Sequence, residues 1–206
     1  MRLAVLSDIH DNIWKLAAAL DSVRGADALI CCGDLCSPFI VHQLGRGFSG
    51  PVHIVLGNND GDLFRITQNA RAYPHLRIHG EFFRGELGGR QVAAVHYDSL
   101  ARPLVASGEF DLVCFGHNHI YEVSRTGHTL AVNPGAIMGS AFDPDGAPRE
   151  APASFVVYDT ETAAAQGYQI VASPAGGPEV RPLARSSHTP SAAACGRPAS
   201  SASRSG

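Results

Sequence analysis

Five short apolar runs in this sequence each end on side chains that can bind a metal ion. The first run ends at Asp8 and His10, a carboxylate and an imidazole two positions apart. In an extended segment such residues project to the same side, so both could hold one cation. An isolated pair of this kind is more often a capping or surface arrangement, but here the pattern recurs. The later runs end on Asp34, Asn58, His96, His117 and His119.

The repetition favours one shared metal site over five unrelated surface features. Each apolar run has the length of a buried strand, and open α/β sheets bind ligands at the carboxyl ends of their strands. We therefore expect the seven side chains in one crevice. They offer three carboxylate or amide oxygens and four imidazoles, which suit manganese, iron, zinc or nickel better than calcium. The expected occupants are two divalent cations, with Mn²⁺ as the first choice.

Strands and helices alternate over the first part of the chain, and hairpins dominate the later part. A helix capped by Asn12 is predicted up to about Arg24, with others after Pro38, over 61–73 and over 99–107. Residues 140–152 are predicted to form a loop rich in Gly and Pro. These elements predict the α/β fold class, with two stacked mixed β-sheets flanked by helices. The strands are expected at 2–6, 28–32, 52–56, 76–79, 81–87, 91–96, 111–115, 120–125, 129–132, 154–159 and 167–171.

Composition and charge restrict the class of protein. With 206 residues, 45% of them hydrophobic, the chain can bury one sizeable core, which we place at residues 1–172. Residues 173–206, rich in Ser, Ala, Pro and Arg, are predicted to be a disordered tail. No apolar run approaches a membrane span or a signal peptide, so we expect a cytoplasmic protein without membrane contact. The net charge of −3 disfavours stable nucleic-acid binding.

The order of the polar blocks carries a family resemblance. Asp-x-His is followed by Gly-Asp, Gly-Asn-x-Asp, His and Gly-His-x-His over about the first 170 residues. In this order the blocks resemble the calcineurin-like metallophosphoesterase superfamily. The resemblance is closest to its small single-domain bacterial and archaeal phosphodiesterases of the YfcE type, in which Asn-Pro-Gly also follows the last histidines. It implies a four-layer α/β/β/α sandwich.

The resemblance also implies roles for the polar residues. Two cations about 3.5–4 Å apart can share a hydroxide and aim it in line at phosphorus. The implied reaction is hydrolysis of a small phosphodiester, such as a cyclic nucleotide or an activated aryl diester, with Asp34, Asn58 and Asn59 as catalytic residues. The implied ligands are Asp8, His10 and His119 for one metal, Asn58, His96 and His117 for the other, and Asp34 as the bridge.

Several positions depart from the family pattern. Asn59 stands where many relatives have a histidine that helps to protonate the leaving oxygen or to position the phosphate. An amide cannot act as a general acid, so we expect weak activity toward esters with poor leaving groups. Asp11 is expected to orient His10, whereas Asp60 either orients a metal ligand or caps the next helix. Tyr97 replaces a glycine often found after the fourth block, which changes the substrate contacts there.

Other functions remain compatible with this sequence. A phosphomonoesterase would bind a dianion, and the absence of a clear basic cluster favours diesters instead. The fold is also similar to a trafficking scaffold whose metal site has decayed, although all seven ligands are present here. Asn59 is also compatible with a regulatory module that binds metal and nucleotide without turnover. The expected partners are a small phosphoester substrate and, by analogy with the family, a second copy of the chain in a homo-oligomer.

Overall fold

A computed structural model describes residues 1–143, 145–174 and 176–184 of the chain. None of the described helices is long and apolar enough to cross a membrane. The helices are α1 (Ile13–Ser22), α2 (Phe39–Gly47), α3 (Leu63–Ala70) and α4 (Asp98–Ser107). The strands are β1 (Arg2–Leu6), β2 (Ala28–Cys31), β3 (Val52–Ile54), β4 (Leu76–Ile78), β5 (Phe82–Leu87), β6 (Arg90–Val95), β7 (Leu112–Cys114), β8 (Glu122–Thr126), β9 (Thr129–Asn133), β10 (Ser140–Phe142), β11 (Pro148–Glu150), β12 (Ala153–Asp159), β13 (Ala164–Ala172) and β14 (Pro178–Pro182).

Most of the strands form two mixed sheets. The larger sheet has the order β14-β13-β12-β1-β2-β3-β4, in which β1 to β4 are parallel and the other pairs are antiparallel. The smaller sheet has the order β5-β6-β7-β9-β8. Its central strands β6, β7 and β9 are parallel, and its edge strands β5 and β8 are antiparallel to their neighbours.

Three apolar clusters define the layers of the fold. Alternate residues of β1 point to opposite sides, as they must in a strand. Leu3 and Val5 pack in a cluster that also contains Val92 of the smaller sheet, so the two sheets lie face to face. Ala4 and Leu6 pack on the other side, in the cluster that includes α1, α2 and α3. A third cluster joins α4 to the outer face of the smaller sheet. The predicted two-sheet α/β fold flanked by helices is confirmed.

Two segments differ from the sequence-based expectation. Residues 140–152, expected as a loop, contain β10 and β11, which pair with each other as a separate two-stranded sheet. Residues 178–182, which we placed in a disordered tail, form β14 along the open edge of β13. Backbone hydrogen bonds to that edge, with Val180 packed toward the α1 layer, order a segment of weak apolar content. Residue 175 and residues 185–206 of the predicted tail lie outside the described residues.

Candidate metal centre

The predicted ligands all follow strand ends that meet at one edge of the two sheets. Because β1, β2 and β3 are parallel, as are β6 and β7, the loops after them leave on the same side. The two sheets are joined there, since His96 Nδ1 lies 2.7 Å from the Cys32 carbonyl oxygen. The His117 amide also donates to Asp8 Oδ2 at 3.1 Å. The ligands are Asp8 and His10 after β1, Asp34 after β2, Asn58 after β3, His96 after β6, and His117 and His119 after β7.

The first group of ligands contains Asp8, His10, Asp34 and His119. One ligand atom from each of the four lies within 4.8 Å of the others. His119 Nε2 is 3.3 Å from Asp8 Oδ1, and His10 Nε2 is 3.3 Å from Asp34 Oδ2. Two carboxylates and two imidazoles at this spacing can surround a divalent cation.

The second group is built around the amide of Asn58. Asn58 Oδ1 lies 3.0 Å from His96 Nε2 and 3.0 Å from His117 Nδ1. The two imidazole rings meet edge to face, with their centroids 5.1 Å apart. The three predicted ligands of the second metal are therefore in mutual contact.

Asp34 lies between the two groups. Its Oδ2 faces His10 at 3.3 Å in the first group, and its Oδ1 faces His96 at 3.5 Å in the second. Asn59 holds this carboxylate through two hydrogen bonds. Its backbone N–H donates to Oδ1 at 2.8 Å, and its side-chain Nδ2 donates to Oδ2 at 2.8 Å. Each oxygen of one buried carboxylate thus faces a different group of predicted ligands.

Two buried polar atoms at the centre have no hydrogen-bond partner in the described part of the chain. They are Asp8 Oδ1 and His10 Nε2, which lie 3.9 Å apart. Leaving buried polar atoms without a partner is costly, and native structures contain few of them. A cation bound by both atoms would satisfy them, and the oxygen and nitrogen donor set fits a borderline divalent metal.

Electrostatics at the centre favours bound positive charge. Burial alone would raise the pKa of Asp34, but the His10 and His96 imidazoles beside its carboxylate, together with the hydrogen bond from the Asn59 backbone amide, hold that pKa well below its usual range. Burial alone would lower the pKa of His96, yet the Asp34 carboxylate raises it above the ordinary 6.5. Asp8 raises the pKa of His119 in the same way. The carboxylates therefore attract either protons on the imidazoles or metal ions.

Backbone strain is concentrated in these loops. Of the eight described non-glycine residues with positive φ, seven lie in the loops that carry the ligands. Left-handed backbone costs a residue with a side chain about 1–3 kcal/mol, and it clusters at functional sites. The surrounding packing must supply that energy to hold the ligands in place. Five of the seven are predicted ligands, with φ from 43° to 72°: Asp8, His10, Asp34, His117 and His119.

Glycines allow the loops to approach each other. A Cβ added to Gly57 would overlap Asp34 Oδ1, and one added to Gly116 would overlap Ser7 Oγ and crowd Asp8 Oδ2. These two positions therefore have no room for a side chain while the ligands keep their present places.

Three of the imidazole ligands are fixed through their second ring nitrogen. A partner at Nδ1 sets the orientation of the ring and leaves Nε2 facing the centre. The partners are the Cys32 carbonyl for His96 at 2.7 Å, the Ser140 carbonyl for His119 at 2.7 Å and the Cys36 Sγ for His10 at 3.5 Å.

Asp60 fastens two of the loops together. Its Oδ1 lies 2.7 Å from the Leu35 amide nitrogen and 3.2 Å from that of Cys36. Its Oδ2 accepts from the amides of Gly57 and Asp34 at 2.7 and 3.3 Å. The sequence identified Asp60 as a candidate but not these partners, because three of the four amides lie more than twenty positions away.

Of the two roles open to Asp60, holding a ligand agrees with its hydrogen bond from the Asp34 amide at 3.3 Å, whereas capping the next helix is wrong. The expected role of Asp11 is also wrong. The side chain that caps α3 is Asp62, which accepts from the first turn of the helix at 2.9 Å, so Asp60 does not cap it. Asp11 does not orient His10. Its carboxylate instead accepts from the Ser37 amide at 2.9 Å and the Ser37 hydroxyl at 2.6 Å, which ties the first loop to the second.

Comparison with known proteins tests the family resemblance. The model of the calcineurin-like phosphoesterase superfamily domain matches residues 1–163. The chain belongs to the calcineurin-like phosphoesterase superfamily. Within this superfamily, a phosphodiesterase from Methanocaldococcus jannaschii is 24% identical to it over 143 residues, which cover 68% of this chain and 86% of the relative. The predicted assignment to the small phosphodiesterase branch of the superfamily is confirmed.

Solved structures show the same calcineurin-like fold. An archaeal phosphodiesterase superimposes with a TM-score of 0.72 at 21% identity, covering 82% of this chain and 99% of the other. Vps29 from Entamoeba histolytica, in a complex with Zn²⁺, superimposes with a TM-score of 0.60 at 17% identity, covering 89% of this chain and 98% of the other. At these identities the similarity is one of fold. The candidate cluster of carboxylates and imidazoles accords with divalent-metal binding in this superfamily.

Proposed function

We propose that this chain is a phosphodiesterase that uses two divalent cations, Mn²⁺ before iron, nickel or zinc, to hydrolyse a small phosphodiester. The observation that carries the proposal is the position of Asp34, whose two carboxylate oxygens face separate groups of ligands. When bound, two such cations lower the pKa of a water and neutralise phosphoryl oxygens. One cation would be held by Asp8, His10, His119 and Asp34, and the other by Asn58, His96, His117 and Asp34.

The protein's own charges support the binding of an anionic substrate. Asp8 and Asp34 are the carboxylates among the seven ligands, so two divalent cations would leave the centre with a net positive charge. The negative charge of these two carboxylates is buried, since Asp8 is 0% and Asp34 is 1% exposed. On this buried side of the centre, water screens the attraction between a positive centre and a phosphoester anion only weakly.

The surroundings favour a diester over a monoester. A monoester dianion carries one more negative charge than a diester monoanion, and an unpaired basic side chain at the site would favour it. Two arginines close in sequence to the ligand blocks are already paired: Arg65 Nε lies 3.5 Å from Asp62, and Arg102 binds Glu122 through two hydrogen bonds of 2.7 and 2.6 Å. A diester monoanion needs no such partner.

Asn59 limits the substrates that can be cleaved. Both of its polar groups that face the centre donate to Asp34, so Asn59 fixes the position of this carboxylate. An amide has no proton to give to a departing alkoxide at neutral pH. We therefore assign to this centre a preference for esters whose leaving group is stable as an anion.

A direct test compares bis(p-nitrophenyl) phosphate with p-nitrophenyl phosphate. Protein stripped of metal with a chelator is resupplied with Mn²⁺, and release of p-nitrophenolate is followed for both substrates. We expect metal-dependent turnover that is faster for the diester and that disappears in Asp34→Asn. Faster turnover of the monoester would assign the chain as a phosphomonoesterase instead.

A second candidate function is that of a non-catalytic metal-binding scaffold for protein interactions. The similarity in fold to Vps29 favours this candidate, whereas the presence of all seven ligand types favours the enzyme. Two bound metals per chain without turnover of either ester, whichever of manganese, iron, nickel and zinc is supplied, would support the scaffold.

A further inference from the structure

Two aromatic side chains lie against the candidate metal centre, one beside each group of ligands. The ring of Phe142 meets the ring of His119 edge to face, with centroids 5.5 Å apart. The ring of Tyr97 meets His117 at 4.8 Å and His96 at 5.1 Å, again edge to face. Neither aromatic residue belongs to the set of predicted ligands, so their placement calls for a separate explanation.

Phe142 is held in place but is not buried. It is 50% exposed, whereas Ala141 beside it is 1% exposed, so the strand β10 points its small residue inward and its large one outward. The pairing of β10 with β11 fixes the position of Phe142, which lies opposite Pro148. The same short strand supplies the Ser140 carbonyl that holds His119 at 2.7 Å. The segment thus orients a ligand and places an exposed ring beside it.

Single exposed aromatic residues are common and need no explanation by themselves. What distinguishes Phe142 is contact with a ligand ring at the place where a phosphoryl group would bind. Tyr97 occupies the corresponding place in the second group, next to His96 in the loop after β6, and is partly exposed. Its side chain makes no cap hydrogen bond to α4, which begins at the next residue. Neither ring is therefore explained by packing of the core or by capping.

A phosphodiester has two ester groups, which leave the phosphorus in different directions. With the phosphoryl oxygens at the cations, the two ester groups would extend over the rim of the centre, within reach of the side chains that border it. Aromatic side chains in these two places can stack on planar substituents, a contact that adds to simple burial of apolar area. Arg65 and Arg102 do not offer a free charge for this purpose, because both are paired with acidic side chains.

We propose that Phe142 and Tyr97 form the binding surfaces for the two ester substituents, and that the substrate is a phosphodiester with at least one planar aromatic substituent. This inference rests on the proposed function, because it places the phosphoryl group at the metal ligands. It assigns specificity to two residues that take no part in metal binding.

The test measures binding, so that it does not depend on turnover. Diphenyl phosphate and dimethyl phosphate are compared by calorimetry with the Mn²⁺-loaded protein. Both are diester monoanions, and they differ in their aromatic substituents. We expect the wild-type protein to bind diphenyl phosphate more tightly, and we expect Phe142→Ala and Tyr97→Ala each to reduce that preference by about three- to tenfold.

Further variants separate ring contact from damage to the centre. Phe142→Tyr and Tyr97→Phe keep an aromatic ring and should keep the preference. Phe64→Ala is a matched control, because Phe64 is 72% exposed on α3 and has no ring contact with a ligand among the described residues. A loss of metal affinity would weaken the binding of diphenyl phosphate and of dimethyl phosphate alike, so it cancels in the ratio of their dissociation constants. Should either alanine variant lose all binding, the corresponding leucine variant, Phe142→Leu or Tyr97→Leu, removes the aromatic ring and still allows the affinities for the two diesters to be compared.

The outcomes of this comparison are distinct. Equal preference in wild type, Phe142→Ala and Tyr97→Ala would overturn the inference, even if the protein hydrolyses bis(p-nitrophenyl) phosphate. A preference that depends on both rings would support the inference, even in a protein that turns over no ester. Failure of the proposed hydrolysis and failure of the aromatic binding surfaces can thus be told apart.

Discussion

The loops of the metal centre depend on Asp60, and replacing its carboxylate with an amide tests this dependence. Asp60 is 8% exposed, and its two oxygens face four backbone amides in the second and third loops. In Asp60→Asn the side chain keeps its size but retains one oxygen. The new NH₂ group would face two amide N–H groups, which it cannot accept from.

The expected cost follows from the number of hydrogen bonds lost. The variant loses hydrogen bonds from two amides to a charged acceptor, each worth about 1.5–3 kcal/mol. We therefore predict that Asp60→Asn lowers the free energy of unfolding by about 3–6 kcal/mol, a large part of the ~5–15 kcal/mol of a typical domain. Urea unfolding followed by circular dichroism, with a chelator present, measures this difference without a contribution from bound metal.

Asp62→Asn is the matched control for this experiment. Asp62 lies two positions away, but it caps α3, and Asn is about as good a helix cap as Asp. We expect the control to change stability by less than about 0.5 kcal/mol. If Asp60→Asn also costs less than about 1 kcal/mol, the carboxylate does not fasten the loops together and the reasoning is refuted.

Two further predictions concern the ligands themselves. The Cβ added by Gly57→Ala would overlap Asp34, so this variant should weaken Mn²⁺ binding in calorimetry at least tenfold. Gly61→Ala is the control, because its Cβ stays 3.6 Å from the nearest atom, and its Mn²⁺ affinity should not change. Equal affinities of the two variants would contradict the close approach of Gly57 to Asp34. The pKa values of His96 and His119 are raised by folding, so their stabilisation of metal-free protein is complete below about pH 6.5 and is lost as pH rises through the folded pKa. In the presence of a chelator, the urea midpoint of unfolding should therefore fall between pH 6 and pH 9. The affinity for Mn²⁺ should rise over the same range, because metal binding needs neutral imidazoles. A midpoint that rises with pH in chelator would show that these imidazoles are not protonated in the folded protein.

The strand-end positions of the candidate ligands could be predicted because they depend on local sequence. Each ligand block ends an apolar run, and parallel strands bring their carboxyl ends to one edge without further instruction. Asn12 was also predictable as the cap of α1, and its side chain accepts from the Lys15 amide at 3.2 Å. Short-range patterns of this kind determine both the type of element and the residues at its end.

Other features depend on contacts between distant parts of the chain. The amides of Leu35 and Cys36 reach Asp60 from about 25 positions away, and no local pattern announces that contact. The strand β14 forms because β13 has an open edge, not because its own residues demand burial. The contact between Phe142 and His119 likewise needs a hairpin of three-residue strands, which are too short to show a periodic pattern.

The most direct test of the account is to follow diester turnover while Mn²⁺ is added in known equivalents to metal-free protein. The position of Asp34 between two groups of ligands predicts that hydrolysis of bis(p-nitrophenyl) phosphate rises until two equivalents are bound and then stays constant. Asp34→Asn should show no such rise. Full turnover at one equivalent, or none with two metals bound, would contradict a centre in which two cations act together.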